Sequence, residues 1–431
     1  MAMLHSRFDD AARFVTLDAV RNVLSDMVDI PSPTGGEIDM ARYVVDRLAR
    51  AGIDSELQLV DEGRPNAVGH LSGSGDGFNL LFTGHMDTSY SGTEDYLTGD
   101  GFKAKAVERD GWIWGLGSMN MKSGLAGALV AVEAIARSGI RLKGDISVAG
   151  VVGEIEKAPI EEFQGVEYSG YGAGSKHLVT HGVTADFAIL AEPTGLRICT
   201  ANMGCLWVRI GVSGTVAHSA FRRQAGFINA IQLMAELQAD LTEWIKEYEA
   251  SHDFMGENAN VTIAAIRGGD PWRLARNPYD CHLYLDIRTV PGQSAEAVKR
   301  DLKRCLKRFA KRTSTPEPKI SVYVTDPPML ISEDLPVVGA LANAQKAIMG
   351  DRPLSIIRRP GADGTHFTRY DVPCAVFGPA GRMHPEYAGQ AMHAVGEHVS
   401  LDDVLTSARV YLATALHLCD QTAPDSDLRG S

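Results

Sequence analysis

The run Leu80-Leu81-Phe82-Thr83-Gly84-His85-Met86-Asp87 constrains the fold more than any other stretch of the chain. Five apolar or small residues precede a histidine and an aspartate two positions apart. A strand that is apolar on both faces belongs inside a sheet covered by helices on both sides. Side chains at i and i+2 of a strand share a face, so His85 and Asp87 point the same way at its carboxyl end. An imidazole and a carboxylate so placed can hold a metal, one as ligand and the other as its orienting partner.

The rest of the chain alternates in the same sense. Amphipathic helices are expected over 16–29 and 36–51, strands over 56–60 and 78–84, and an alanine-rich helix over 122–138 in which Gly124 and Gly127 permit close packing. Buried strands follow at 145–152 and 187–191. Alternating strands and helices predict an α/β fold with a mixed, largely parallel sheet flanked by helices. The pattern changes near Gly204: a half-exposed strand at 205–213, a long helix over 225–249, strands at 260–267 and 281–288, and a basic helix over 294–312. That order suits an inserted α+β domain. With 431 residues the chain exceeds one ordinary core. The expected division is 1–203 and 317–431 for the main domain and 204–316 for the insertion, with only the last dozen residues forming a loose tail.

Composition narrows the function classes. A net charge of -12 gives no electrostatic footprint for nucleic acid, and the paired basic residues over 299–308 read as a solvated helix face. No apolar run approaches the roughly 20 residues needed to span a bilayer. Six scattered cysteines without C-x-x-C spacing suggest reduced thiols and a cytoplasmic location.

Further motifs occur in order along nearly the whole chain: Gly115-Leu116-Gly117-Ser118-Met119-Asn120-Met121-Lys122, Gly153-Glu154-Ile155-Glu156, Ala191-Glu192-Pro193-Thr194, Gly214-Thr215-Val216-Ala217-His218-Ser219, and His393 ahead of Glu397-His398-Val399. Together with the His85 segment they resemble the metallopeptidase and deacylase family of acetylornithine deacetylase, succinyl-diaminopimelate desuccinylase and carboxypeptidase G. The resemblance implies a metallopeptidase-like main domain, an inserted lid or dimerisation domain, and a homodimer. It implies His85, Asn120 and Glu192 as ligands of one divalent ion, and Asn120, the carboxylate after Glu154 and His393 as ligands of a second. It also implies Asp87 as the residue orienting His85 and Glu154 as general base. His218 is implied to reach across a dimer and polarise the scissile group.

Two positions depart from the family pattern. The bridging position, normally Asp, holds Asn120, whose neutral amide offers one good ligating oxygen. The position after the base, normally Glu, holds Ile155, which binds no metal. Both changes weaken a two-ion cluster, so one firmly held ion is expected, Mn or Zn by donor type. Glu156 replaces the missing carboxylate if the strand continues past Glu154. Asn120 has a second reading as an N-cap of the helix starting near Lys122, and His398 is expected outside the metal shell.

Arg288 and His366 lie in segments that line substrate pockets in relatives. Arg359, like Arg222, Arg223, Arg276 and Arg358, could supply the bidentate fork that selects a carboxylate. The leading expectation is a metal-dependent hydrolase cleaving a carbon–nitrogen bond of a small anionic substrate, by deacylation of an N-acyl amino acid or removal of a C-terminal residue. The altered cluster also resembles the nitroanthranilate aminohydrolase branch, which leaves hydrolytic deamination of an aromatic amine open. Loss of two carboxylates leaves open a third class, a member that binds a ligand without turnover.

Overall fold

The computed structural model describes residues 2–350, 356–390 and 394–423. The chain divides into two compact units: Met1–Thr200 with Ile331–Ile356 and Ala362–Ser431, and Ala201–Leu330 with Ile357–Gly361.

The first unit is built on a mixed sheet. Strands Asp54–Asp61, Arg64–Leu71, Ile146–Val151, Leu80–His85, Phe187–Leu190 and Cys374–Val376 lie side by side in that order. The centre is parallel: Leu80–His85 pairs with Ile146–Val151 on one side and Phe187–Leu190 on the other. Toward one edge the pairing turns antiparallel, through Arg64–Leu71 and its hairpin partner Asp54–Asp61. All six residues of Leu80–His85 are buried, as the apolar run requires.

Helix Lys122–Ser138 is the central cover. It is buried from Lys122 through Ile135 and packs against helices Leu17–Val28 and Leu401–Leu418. Gly124 is indispensable to that packing, because a Cβ there would lie 1.7 Å from the Ala191 carbonyl oxygen. The helix therefore approaches the strand end that carries Glu192 backbone to backbone.

The second unit is a four-stranded antiparallel sheet in the order Asn260–Gly268, Asp280–Thr289, Gly204–Ser213, Lys319–Asp326. Helices Ala230–Ser251 and Ala295–Thr313 complete it, and Leu237, Leu241, Trp244, Leu302, Leu306 and Phe309 join Ile210, Leu283 and Leu285 in one core. This unit extends past the expected border at 316. Pro316 and Pro318 precede its fourth strand instead of closing the domain, since Lys319–Asp326 pairs along Gly204–Ser213. Its long helix starts at Ala230, five residues after the expected position, because Asn229 supplies the cap: its side chain accepts from the N–H groups of Ile231 and Gln232.

Candidate metal centre

Three neighbouring parallel strands deliver the site. His85 closes the central strand, Glu154 follows Val151 by three residues, and Glu192 follows Leu190 by two. Because the strands run the same way, their carboxyl ends open onto one crevice, where ligands of open α/β sheets bind. His85 Nε2 lies 3.5 Å from Glu154 Oε2 and 3.7 Å from Glu192 Oε1. One donor atom from each of the three residues falls within 4.8 Å of the others, and all three residues are buried.

Asp87 fixes this geometry. Its Oδ1 accepts the Glu154 N–H at 3.0 Å, and its Oδ2 accepts the Ile155 N–H at 3.2 Å and the Thr34 hydroxyl at 2.9 Å. The His85 Nδ1 sits 2.9 Å from the Asp87 carbonyl oxygen and 3.4 Å from Oδ1, which turns Nε2 toward the two glutamates. Burial opposes ionisation of Asp87, but the His85 contact and the Glu154 N–H outweigh it and hold the carboxyl below its usual range. Burial alone would lower the His85 pKa as well. Glu154, Asp87 and Glu192 surround the ring with negative charge and raise it well above the ordinary value.

Asn120 lies two residues ahead of helix Lys122–Ser138. It is not the helix cap: Met121 occupies that position, without a side-chain hydrogen bond. The backbone around Asn120 is held from two sides, since Glu397 Oε2 accepts the N–H groups of Met119 and Asn120 at 3.1 and 3.0 Å and the His85 N–H meets the Met121 sulfur at 3.2 Å. Asn120 Oδ1 is left buried without a hydrogen-bond partner, as is His85 Nε2. A buried imidazole nitrogen without a hydrogen-bond partner, 3.5 and 3.7 Å from two buried carboxylates, is the environment a divalent cation satisfies, so His85, Glu154 and Glu192 fit an ion.

Gly153 turns the chain into Glu154 with φ of 65°, and a Cβ there would lie 2.7 Å from Arg64 Nη2. Arg64 is buried with Glu37 in a two-pronged pair at 3.0 and 2.5 Å, and it also donates to the carbonyl oxygens of Val166 and Ser169. This pair braces the 153–171 loop behind the glutamate. No motif contains either residue, and only three-dimensional burial reveals them.

The other expected site residues are placed as follows. The strand ends at Val151, so the alternation that would seat Glu156 beside Glu154 does not reach it, and Glu156 is outside the converging donor group. His393 lies outside the described residues. His366 is buried beside Asp363 at 3.9 Å, its pKa pushed down to about 3 by burial and the cations Lys176 and Arg369. Asp363 receives the Ser175 hydroxyl at 2.6 Å, and burial pushes its carboxyl up to about 7. His218, Arg288 and Arg359 belong to the second unit. His218 is exposed and its Nδ1 accepts the Ala220 N–H. Arg288 faces Asp286 at 2.9 Å and Arg359 faces Glu257 at 2.7 Å. His398 stacks on Trp114 with ring centroids 4.3 Å apart and accepts the His384 N–H, which accounts for it structurally.

The sequence profile described as Peptidase family M20/M25/M40 matches residues 81–417. This chain belongs to the M20/M25/M40 family. Its members' hydrolytic chemistry at carbon–nitrogen amide bonds is therefore this chain's chemistry, and the family implies a divalent metal. Among curated relatives, the N-formyl-4-amino-5-aminomethyl-2-methylpyrimidine deformylase of Bacillus subtilis is 25% identical over 405 residues, covering 88% of this chain and 89% of its own length. The acetylornithine deacetylase of Myxococcus xanthus is 27% identical over 423 residues, covering 94% and 98%. Among solved structures, a tripeptidase from Staphylococcus aureus superposes with a TM-score of 0.73 at 19% identity, covering 94% of this chain and 99% of its own. Human carnosine dipeptidase 1 gives 0.72 at 16%, covering 98% and 100%. These structures share the M20 fold. No helix among the described residues is long and apolar enough to cross a membrane.

Proposed function

We propose that this M20 protein hydrolyses an amide of a small carboxylate-bearing molecule, as an N-acyl amino acid deacylase or a carboxypeptidase-like enzyme, with His85, Glu192 and Asn120 holding one Mn or Zn ion. The observation that carries the reading is the convergence of His85, Glu154 and Glu192 in one buried group of donors. A bound divalent ion supplies acidified water, its pKa lowered from about 15.7 toward about 7, and a polarised carbonyl. Glu154 then needs only ordinary carboxylate basicity: its Oε2 takes the proton of the attacking water and returns it to the departing nitrogen. Asp87 keeps the His85 ring in place through the hydrogen bonds described above. A ligating carboxylate, an oriented imidazole and a second carboxylate placed as base are more than a pure ligand binder requires.

A homodimer in which His218 of a neighbouring subunit stabilises developing negative charge completes the proposal. Its support is the edge strand Asn260–Gly268, which has a sheet neighbour on one side only among the described residues and exposes Ile266. The six cysteines, all buried and none in a disulfide, support a cytoplasmic location.

A second reading, hydrolytic deamination of an aromatic amine, is favoured by one feature. A cavity of about 410 Å³ beside Asn120 is lined by Tyr90, Tyr96, Phe102, Leu116 and Met119. Aromatic walls suit a planar ring, and the deformylase relative is named for a pyrimidine.

The deciding experiment loads purified protein with Mn or Zn, measures ions per chain, and assays ammonia, carboxylate and amine release over acyl amino acids, dipeptides and aminobenzoates. Carboxylate and amine release supports the first reading and ammonia release the second. Fewer than about 0.2 ions per chain after loading, with no turnover, refutes both.

A further inference from the structure

His177 and His181 lie four residues apart at the carboxyl end of helix Ala173–Thr180, His177 in its last turn and His181 at its cap. Side chains at i and i+4 sit one above the other on a helix face. The two rings stack with centroids 3.6 Å apart and planes 6° from parallel. Both reach the surface: His181 is exposed and His177 half-buried. The pair shares no residue with the metal centre, and among the described residues no Asp, Glu or Cys joins it to make a group of three donors.

The hydrogen bonds leave the ligating lone pairs free. His181 Nδ1 lies 2.8 Å from the His177 carbonyl oxygen and 3.0 Å from the Thr180 hydroxyl. That hydroxyl already donates to the carbonyl oxygens of Lys176 and His177, so the proton between ring and backbone belongs to Nδ1. Nε2 of His181 is therefore the unprotonated nitrogen. A carbonyl behind the opposite ring nitrogen is what orients a metal-ligating histidine. His177 differs: among the described residues no hydrogen bond or ion pair holds its ring, and the stack alone fixes it. Burial, and then the charge a protonated His181 would carry, keeps the His177 pKa below 6.5, so its ring is neutral at physiological pH. The last carbonyls of the helix add negative potential at this end, which favours a cation.

We propose that His177 and His181 form a second, surface metal site for one late first-row divalent ion, nickel, copper or zinc, with water completing the coordination. His181 is the fixed ligand, and His177 swings out of the stack to meet the ion. Two neutral imidazoles without a carboxylate favour ions late in the Irving–Williams order over Mn, Mg and Ca. The donor set thus differs from that of His85, Glu154 and Glu192, where two of the three residues are carboxylates. The inference does not rest on the proposed hydrolysis and survives its failure.

Ion counting on the full chain tests it. Protein loaded with zinc is dialysed against Ni2+, and zinc and nickel per chain are summed by elemental analysis, because nickel that merely replaces zinc at the metal centre leaves the sum unchanged. Wild type is expected to hold about one ion more than the double variant His177→Ala/His181→Ala. Each single alanine variant should bind that extra ion at least about tenfold more weakly, since loss of an orienting partner alone typically costs about 10–100-fold. His70→Ala, which removes a half-buried histidine from strand Arg64–Leu71, should keep the wild-type sum. Dialysis against Mn2+ should add nothing at the pair. Equal sums in wild type and the double variant overturn the proposal, as does an extra ion that Mn2+ supplies as readily as Ni2+. Far-UV circular dichroism checks the fold of each variant, and His181→Gln, at an exposed position, keeps the test open if the double variant does not fold.

Discussion

Replacing Asp87 by Asn separates orientation from charge at the metal centre. The carboxylate serves three donors: the Glu154 N–H on Oδ1, and the Ile155 N–H and Thr34 hydroxyl on Oδ2. An amide has one oxygen. With that oxygen in the place of Oδ1, the Glu154 hydrogen bond survives, and Thr34 can rotate to accept from the new NH2 group. The Ile155 N–H cannot rotate and is left buried without an acceptor, at a cost of about 1–3 kcal/mol. Loss of a partner behind a metal-bound histidine typically weakens metal binding about 10–100-fold. Here the lower end applies, because the shorter contact of His85 Nδ1, at 2.9 Å, is to the Asp87 backbone carbonyl, which the substitution leaves alone. Urea unfolding of the metal-free protein and competition against a chromophoric chelator measure the two quantities. Unchanged stability together with unchanged metal affinity would refute the role given to Asp87.

Other consequences follow from the same geometry. Glu154→Gln should cut turnover by about 10²–10⁴ with metal still bound, and near-normal rates would remove it as the base. Arg64→Met leaves Glu37 as a buried unpaired charge and should cost about 3–5 kcal/mol in denaturant unfolding, with Glu37→Leu/Arg64→Met recovering most of the loss. Chelation should abolish activity and lower the melting temperature, since an ion at about 1,000 times its Kd adds about 4 kcal/mol to the native state; a melting temperature indifferent to chelator contradicts a structural grip on the ion. Burial raises the Glu133 carboxyl above 4.5 despite Arg47, so the folded chain keeps that proton to higher pH than the unfolded one. The stability this contributes is complete at low pH and is lost as pH rises through the folded pKa. The advantage of wild type over Glu133→Gln should therefore shrink as the pH rises above the ordinary carboxylate range in unfolding titrations.

The parallel core was legible because its cues are local. Leu80–His85 and Phe187–Leu190 are uninterrupted apolar runs, and such runs have one home, the middle of a covered sheet. The ordered motifs located His85, Glu154 and Glu192, which three strand ends bring together. What escaped was set by tertiary context. The period-two argument for Glu156 failed because a glycine with positive φ ends the strand's alternation first. The Asn120 cap reading failed because the helix begins one residue later than a cap at 120 requires. The Arg64–Glu37 brace has no sequence signature, since it depends on which backbone carbonyls happen to lie within reach. Nothing in the linear sequence separates Arg288 and Arg359 from Arg222, Arg223 and Arg276, because it does not show which cations have already found a carboxylate.

The donor set is spread over three strand ends that are far apart along the chain but adjacent in the sheet. During synthesis, His85 and Glu154 emerge from the ribosome well before Glu192, and the central strand cannot acquire its second parallel neighbour until Phe187–Leu190 has followed. A nascent chain therefore presents an incomplete grip to passing ions, and cellular metal supply meets a selective site only after the sheet has closed.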